Sequence, residues 1–194
     1  MDSLADSSSG LLAEMYKLSL FALILTPLYF SLDKTLALLK ASDNKPTLKF
    51  IDFKLGNVCN LKCRICGSWS SSKWAQEEMD YGENPVARKH LTEGGWPKKN
   101  PQFFEDVKEV LEDVEYFEFR GGEPFMIHNH FKILEHCVEK GYAKNQDIHY
   151  NTNGTQLPGR DIFDLWKHFK RVEIAFSIDD VGEQFEYQRH PANW

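Results

Sequence analysis

Three of the four cysteines in this 194-residue chain stand in one loop: Cys59, Cys63 and Cys66, in the stretch GNVCNLKCRICGSWSSSKW from Gly56 to Trp74. Thiolates are soft ligands that select zinc, copper(I) and iron-sulfur clusters. Structural zinc usually takes four protein ligands, often as paired C-x2-C units, and no second pair or nearby histidine completes such a set here. A cubane iron-sulfur cluster wants a terminal ligand on each of its irons, so a C-x3-C-x2-C loop leaves one iron open. An open metal position can accept a small molecule, as catalytic metal sites do. The alternative is that Cys137, or a cysteine of another chain, closes the set and leaves a non-catalytic iron-sulfur or zinc-binding module, an electron-transfer or structural centre. Cys137 lies in Phe131 to Lys140, where Phe131, Leu134, Cys137 and Val138 recur at helical spacing, and a free cysteine there is expected to be a core side chain. Lys62 and Arg64 put positive charge close to the sulfurs.

The elements that must position this loop have an alternating rhythm. Strand-like runs Leu48 to Leu55, Tyr116 to Arg120, Asp147 to Gly154 and Val172 to Asp180 are separated by amphipathic helices, the signature of βαβ units. One helix is expected after Asn100 as N-cap and Pro101 at its first position, with Phe103, Phe104, Val107, Val110, Leu111 and Val114 on one face. The second is Phe131 to Lys140, stopping at Gly141. The third is Asp161 to Phe169, and a serine among Ser70 to Ser72 is expected to cap a helix after the cysteine loop. A parallel sheet with right-handed crossovers places the loops that follow its strands along one rim. The cysteine loop, RGGEP, NTNG and SIDD each follow a strand, so all four motifs are expected on that rim.

Composition narrows the function classes. A net charge of -6, with lysine and arginine scattered along the chain, provides no nucleic-acid footprint, and no nucleic-acid partner is expected. Four cysteines, three of them clustered, are too few for a disulfide scaffold and point to metal chemistry in a reducing compartment, hence a cytoplasmic location. Residues 1–46 are expected to form a separate N-terminal segment, with two apolar helices within 11–39 meeting near Pro27, ahead of a core domain over 47–194. Its run LSLFALILTPLYFSL lacks the basic start of a secretory signal and is shorter than the roughly 20 apolar residues that span a bilayer. Packing on the domain is expected, with contact at a membrane surface the alternative.

With the cysteine loop and GGEP (Gly121 to Pro124) in place, the chain resembles the radical S-adenosylmethionine enzymes, and within them members with an extra twitch or SPASM-type domain, whose sequences similarly read GNLCNLKCRMC and later GEQFEYIR. The resemblance covers Leu48 to Trp194. It implies an α/β fold, a partial (β/α)6 TIM-like barrel of which this chain holds the first four βα units. It implies that Cys59, Cys63 and Cys66 hold a 4Fe-4S cluster, and that the amino and carboxylate groups of S-adenosylmethionine chelate the free iron. One electron, from a flavodoxin or ferredoxin type of donor, then cleaves the cosubstrate and releases a 5′-deoxyadenosyl radical that abstracts hydrogen from a substrate, a peptide or protein being favoured over a small metabolite. The backbone of Gly121 and Gly122, the side chain of Glu123, and Pro124 are implied to line the methionine amino group. Asn151 and Asn153 are implied to face the same pocket, Ser177 and Asp179 to approach the ribose or carboxylate, and Ile65 to meet the adenine. Ile65 stands where the family usually has an aromatic or larger residue, and Asp180 where it usually has glycine. The last two βα units have no counterpart in this chain, so a truncated form is expected.

Overall fold

The computed structural model describes residues 47–194. The N-terminal segment, its two expected apolar helices and its expected membrane or domain contact lie outside the described residues. Four strands, β1 (Phe50–Lys54), β2 (Tyr116–Arg120), β3 (Asp147–Thr152) and β4 (Arg171–Phe176), form one parallel sheet whose spatial order is the chain order. Because every right-handed crossover then steps in the same direction, the helices collect on one face. A doubly wound sheet reverses its strand order instead; consecutive neighbours are the arrangement of a barrel wall.

The helices are α1 (Ser72–Asp80), α2 (Pro85–Glu93), α3 (Trp96–Lys99), α4 (Pro101–Asp106), α5 (Phe131–Glu139), α6 (Arg160–Trp166) and α7 (Gly182–Gln188). On the helix-covered face, Phe53, Phe117, Phe119, Ile148 and Tyr150 are buried against Phe104, Leu111, Leu134, Cys137, Ile162 and Trp166. Burying each large apolar side chain contributes about 1.5–3 kcal/mol. The other face is polar: Asp52, Glu118, His149 and Glu173 align across the four strands. There Arg120 Nε donates to Asp52 Oδ1 at 2.8 Å, and the imidazole Nδ1 of His149 lies 2.9 Å from Glu118 Oε2.

The long helix expected after Asn100 departs from its sequence pattern. It is α-helical only through Asp106 and tightens to a 3-10 helix over Val107–Asp113. Three residues per turn keep Leu111 and Val114 buried together but rotate Val110 outward, 43% exposed. Asn100 also makes no side-chain cap bond. The unexpected α2 has that cap: Asn84 Oδ1 accepts from Val86 N and Ala87 N, with Pro85 at the start. α5 ends as anticipated at Gly141, where Tyr142 N donates to Cys137 O and Gly141 N to Val138 O. Strands β1, β3 and β4 stop short of their sequence ranges, because residues past the paired segment turn their backbone to the rim loops.

His130 is wholly buried just before α5, with Tyr150 OH donating to its Nε2 at 2.9 Å and its Nδ1 serving Ile127 O. Burial lowers its pKa to about 3 from an ordinary 6.5. The unfolded chain therefore takes up a proton below pH 6.5 that the folded chain refuses until about pH 3. Stability should fall as pH drops through that window, by up to ~1.4 kcal/mol per pH unit from this group. Urea midpoints measured from pH 7 to pH 5 should fall less steeply for His130→Gln than for the wild type; parallel curves would remove this account.

Candidate metal centre

The site starts from a strand end. Leu55 N extends the β1 ladder to Arg120 O at 2.8 Å, and the chain then enters the cysteine loop. Helix α1 grips that loop from behind. Ser71 caps it, accepting from Lys73 N and Trp74 N, and the same hydroxyl donates to Leu61 O at 2.6 Å. Trp74 Nε1 donates to Cys63 O at 2.9 Å, and Asn57 Nδ2 donates to Ser68 O at 2.8 Å. Cys59, Leu61 and Cys63 are buried as one small cluster, with Cys66 half-buried against it.

GGEP fits under this loop. Gly121 and Gly122 have φ of 92° and 59°, and a Cβ on Gly122 would lie 2.2 Å from Val58 O. Glu123 N donates to that same Val58 O at 2.8 Å. The Glu123 carboxylate is fully buried and accepts from Thr152 Oγ1 at 2.7 Å, Asn153 N at 2.8 Å and Phe125 N at 3.2 Å. It thus binds the loop after β2 to the loop after β3. Pro124 is buried and opens a short 3-10 turn, Pro124–Met126.

The loop after β3 returns to the cysteines, with Asn153 Nδ2 donating to Asn60 Oδ1 at 3.1 Å and to Cys59 Sγ at 3.7 Å. Asn151 lies on the polar face of the sheet and donates to Glu118. After β4, Ser177 N donates to Thr152 O at 2.8 Å, and Asp179 Oδ2 sits 2.7 Å from Arg189 Nε. Neither residue caps α7, whose N-cap is Val181. Asp180 accepts from Val181 N, and Ile65 is 69% exposed on the outside of the cysteine loop. The loops after β1, β2 and β3 are therefore joined directly, and the loop after β4 reaches the cysteines through Arg189.

Arg189 is the residue that sequence reasoning did not single out. It is buried and donates from Nη1 to Cys63 Sγ at 3.5 Å. Its only sequence signal is a place in GEQFEYQR, Gly182 to Arg189, and nothing local distinguishes it from a surface arginine. The cations that were expected near the sulfurs go elsewhere: Lys62 pairs with Glu77, and Arg64 stacks on Tyr187 with its guanidinium 4.4 Å from the ring centre. A hydrogen bond from Cys66, and then the Arg189 guanidinium, lower the pKa of the Cys63 thiol. The Cys66 thiol, as partner in that bond, is pushed up, and burial raises Cys59.

Among the described residues, no group of three or more His, Cys, Asp or Glu side chains is gathered to hold a metal ion. A cubane spreads its cysteines over separate iron corners, so the donor set decides whether one fits. Three thiols share one loop; Leu61 N and Asn153 Nδ2 point at Cys59 Sγ, and Arg189 Nη1 points at Cys63 Sγ. Donors aimed at sulfur suit thiolates bound to a cluster. Cys137 belongs to a different cluster, the main core, and burial raises its pKa to about 12. It could join the loop cysteines only if α5 unpacked.

A sequential parallel sheet with a cysteine loop and a buried GGEP carboxylate at the strand ends has the layout of a partial barrel that carries its site on one rim. The family model of the radical SAM superfamily matches residues 53–192, and the chain belongs to that superfamily. No curated protein and no solved structure matches it. Among the described residues no helix is long and apolar enough to cross a membrane.

Proposed function

We propose that Cys59, Cys63 and Cys66 hold a 4Fe-4S cluster with one open iron, and that the chain uses it to cleave S-adenosylmethionine reductively. When bound, the cluster and cosubstrate supply a 5′-deoxyadenosyl radical for hydrogen abstraction. The observation that carries this reading is the separation of the cysteines into two places, three on the rim loop, with N–H donors on the sulfurs of Cys59 and Cys63, and Cys137 in the main core.

The chain's own residues hold the parts in place. Glu123 locks the loops after β2 and β3 under the cysteine loop, while the backbone of Gly121 and Gly122 lies against Gly56 and Val58. Those two glycines, Glu123, Pro124 and Asn153 form the wall proposed for the methionine end of the cosubstrate. Ser177 and Asp179 are proposed for its ribose or carboxylate, Ile65 for the adenine and Asn151 for the deeper side of the pocket. A peptide or protein is the proposed substrate, the class implied by the resemblance to members with twitch or SPASM-type domains, and the polar face of the sheet is the surface offered to it. The proposed electron donor is a flavodoxin or ferredoxin, in the cytoplasm.

The test is anaerobic reconstitution with iron and sulfide, followed by dithionite and S-adenosylmethionine. A brown protein that releases 5′-deoxyadenosine is expected. Colourless protein, or a cluster whose spectrum ignores the cosubstrate, would overturn the proposal.

A further inference from the structure

Residues Gln188–His190 run beside Lys62–Arg64. Lys62 N donates to His190 O at 2.6 Å and Arg64 N donates to Gln188 O at 2.8 Å, so the two bonds bracket Cys63 on one side and Arg189 on the other. This pairing holds the Arg189 side chain in the cysteine loop, 7% exposed, with Nη1 on Cys63 Sγ at 3.5 Å and Nε 2.7 Å from Asp179 Oδ2. Cys59 Sγ, by contrast, meets only neutral donors, Leu61 N at 3.5 Å and Asn153 Nδ2 at 3.7 Å. Arginine keeps its charge in any surroundings, so a fixed cation touches one of the three ligand sulfurs.

On the cluster reading above, we propose that Arg189 is a positioning residue that sets the cluster's reduction potential through its N–H bond to Cys63 Sγ, with Asp179 as its ion-pair partner. Reduction adds one electron, supplied by an external low-potential reductant, to the cage of irons, sulfides and thiolates. A cationic donor at a ligand sulfur favours the more negative, reduced state, and burial strengthens that effect. Asp179 opposes it, but its side chain is 33% exposed against 8% for Arg189, so water screens the carboxylate more than the guanidinium. The net effect of the pair is to raise the potential.

The experiment compares wild type, Arg189→Gln and Arg189→Lys after anaerobic reconstitution, titrated with dithionite and followed by electron paramagnetic resonance without S-adenosylmethionine. The midpoint of Arg189→Gln should shift to a more negative potential, and that of Arg189→Lys, which keeps the charge without the planar fork, should fall between it and the wild type. An unshifted midpoint at normal iron content would overturn the proposal. So would a role confined to gripping the cosubstrate, since that leaves a titration without cosubstrate unchanged. If Arg189→Gln binds no iron, Arg189→Lys decides by the same criterion. Loss of iron in both variants with native circular dichroism would make Arg189 a structural latch and overturn the proposal as well. A wild type that takes up no cluster would instead overturn the cluster reading beneath it, so the two failures are distinguishable.

Discussion

Serine in place of Cys59, Cys63 or Cys66 is expected to abolish retention of the proposed 4Fe-4S cluster and formation of 5′-deoxyadenosine, whereas Cys137→Ser should leave both close to the wild-type level. The contrast follows from placement. On the proposed reading each loop cysteine supplies one corner of a three-thiolate set, and a serine hydroxyl is a poor ligand for iron in a cluster, so one loss leaves two corners. Cys137 sits in the main core beside Gln146, whose Oε1 has no hydrogen-bond partner. Serine there buries a hydroxyl at a cost of about 1–3 kcal/mol, partly offset if it engages that oxygen. Cys137→Ser should therefore lower the urea midpoint without changing iron per chain. Iron and sulfide assays on the four variants, with circular dichroism as the folding check, make the comparison. Loss of the cluster in Cys137→Ser with an intact fold would revive the closed, four-cysteine centre.

Gly122→Ala is the second large effect expected. Its φ of 59° costs a side chain roughly 1 kcal/mol, and its Cβ would lie 2.2 Å from the Val58 carbonyl oxygen. Neither partner can yield cheaply, because the obstacle is backbone and that same oxygen accepts from Glu123 N at 2.8 Å. The clash pushes the cysteine loop off GGEP, so iron content should drop severalfold and stability by ~3 kcal/mol or more. Gly141→Ala is the control: its φ of 75° carries similar strain, but nothing lies within 4 Å of the added carbon. It should cost stability of about 1 kcal/mol and leave iron content alone. Equal iron content in Gly122→Ala and wild type would show that the close approach of these loops is dispensable.

The helix stops and the strand ends show how far local signals reach. α5 and its glycine stop, β2 and the capping serine are governed by neighbours within a few residues, and all were legible. The shortening of the helix after Pro101 was not, because an apolar row at helical spacing is compatible with both 3.6 and 3.0 residues per turn. Packing of Leu111 and Val114 on the sheet chose the tighter winding and left Val110 outside. Asn100 and Asn84 precede proline alike, yet only Asn84 makes the cap bonds. α2 and α3 passed unread for want of a long apolar row.

The order of residues along the chain was enough to determine the clustering and spacing of three thiols, the βα alternation and the placement of each motif after a strand, since all of these depend on local chemistry and short-range periodicity. Folding decided which partners those motifs meet. Glu123 became a buried tie between two loops, the charges of Lys62 and Arg64 were drawn off by Glu77 and Tyr187, and an arginine 126 positions away came to rest on Cys63. Contacts of that range exist only once the sheet has aligned its strand ends, because a side chain's hydrogen-bond partner is set by distance in space and burial away from water, neither of which a linear pattern encodes.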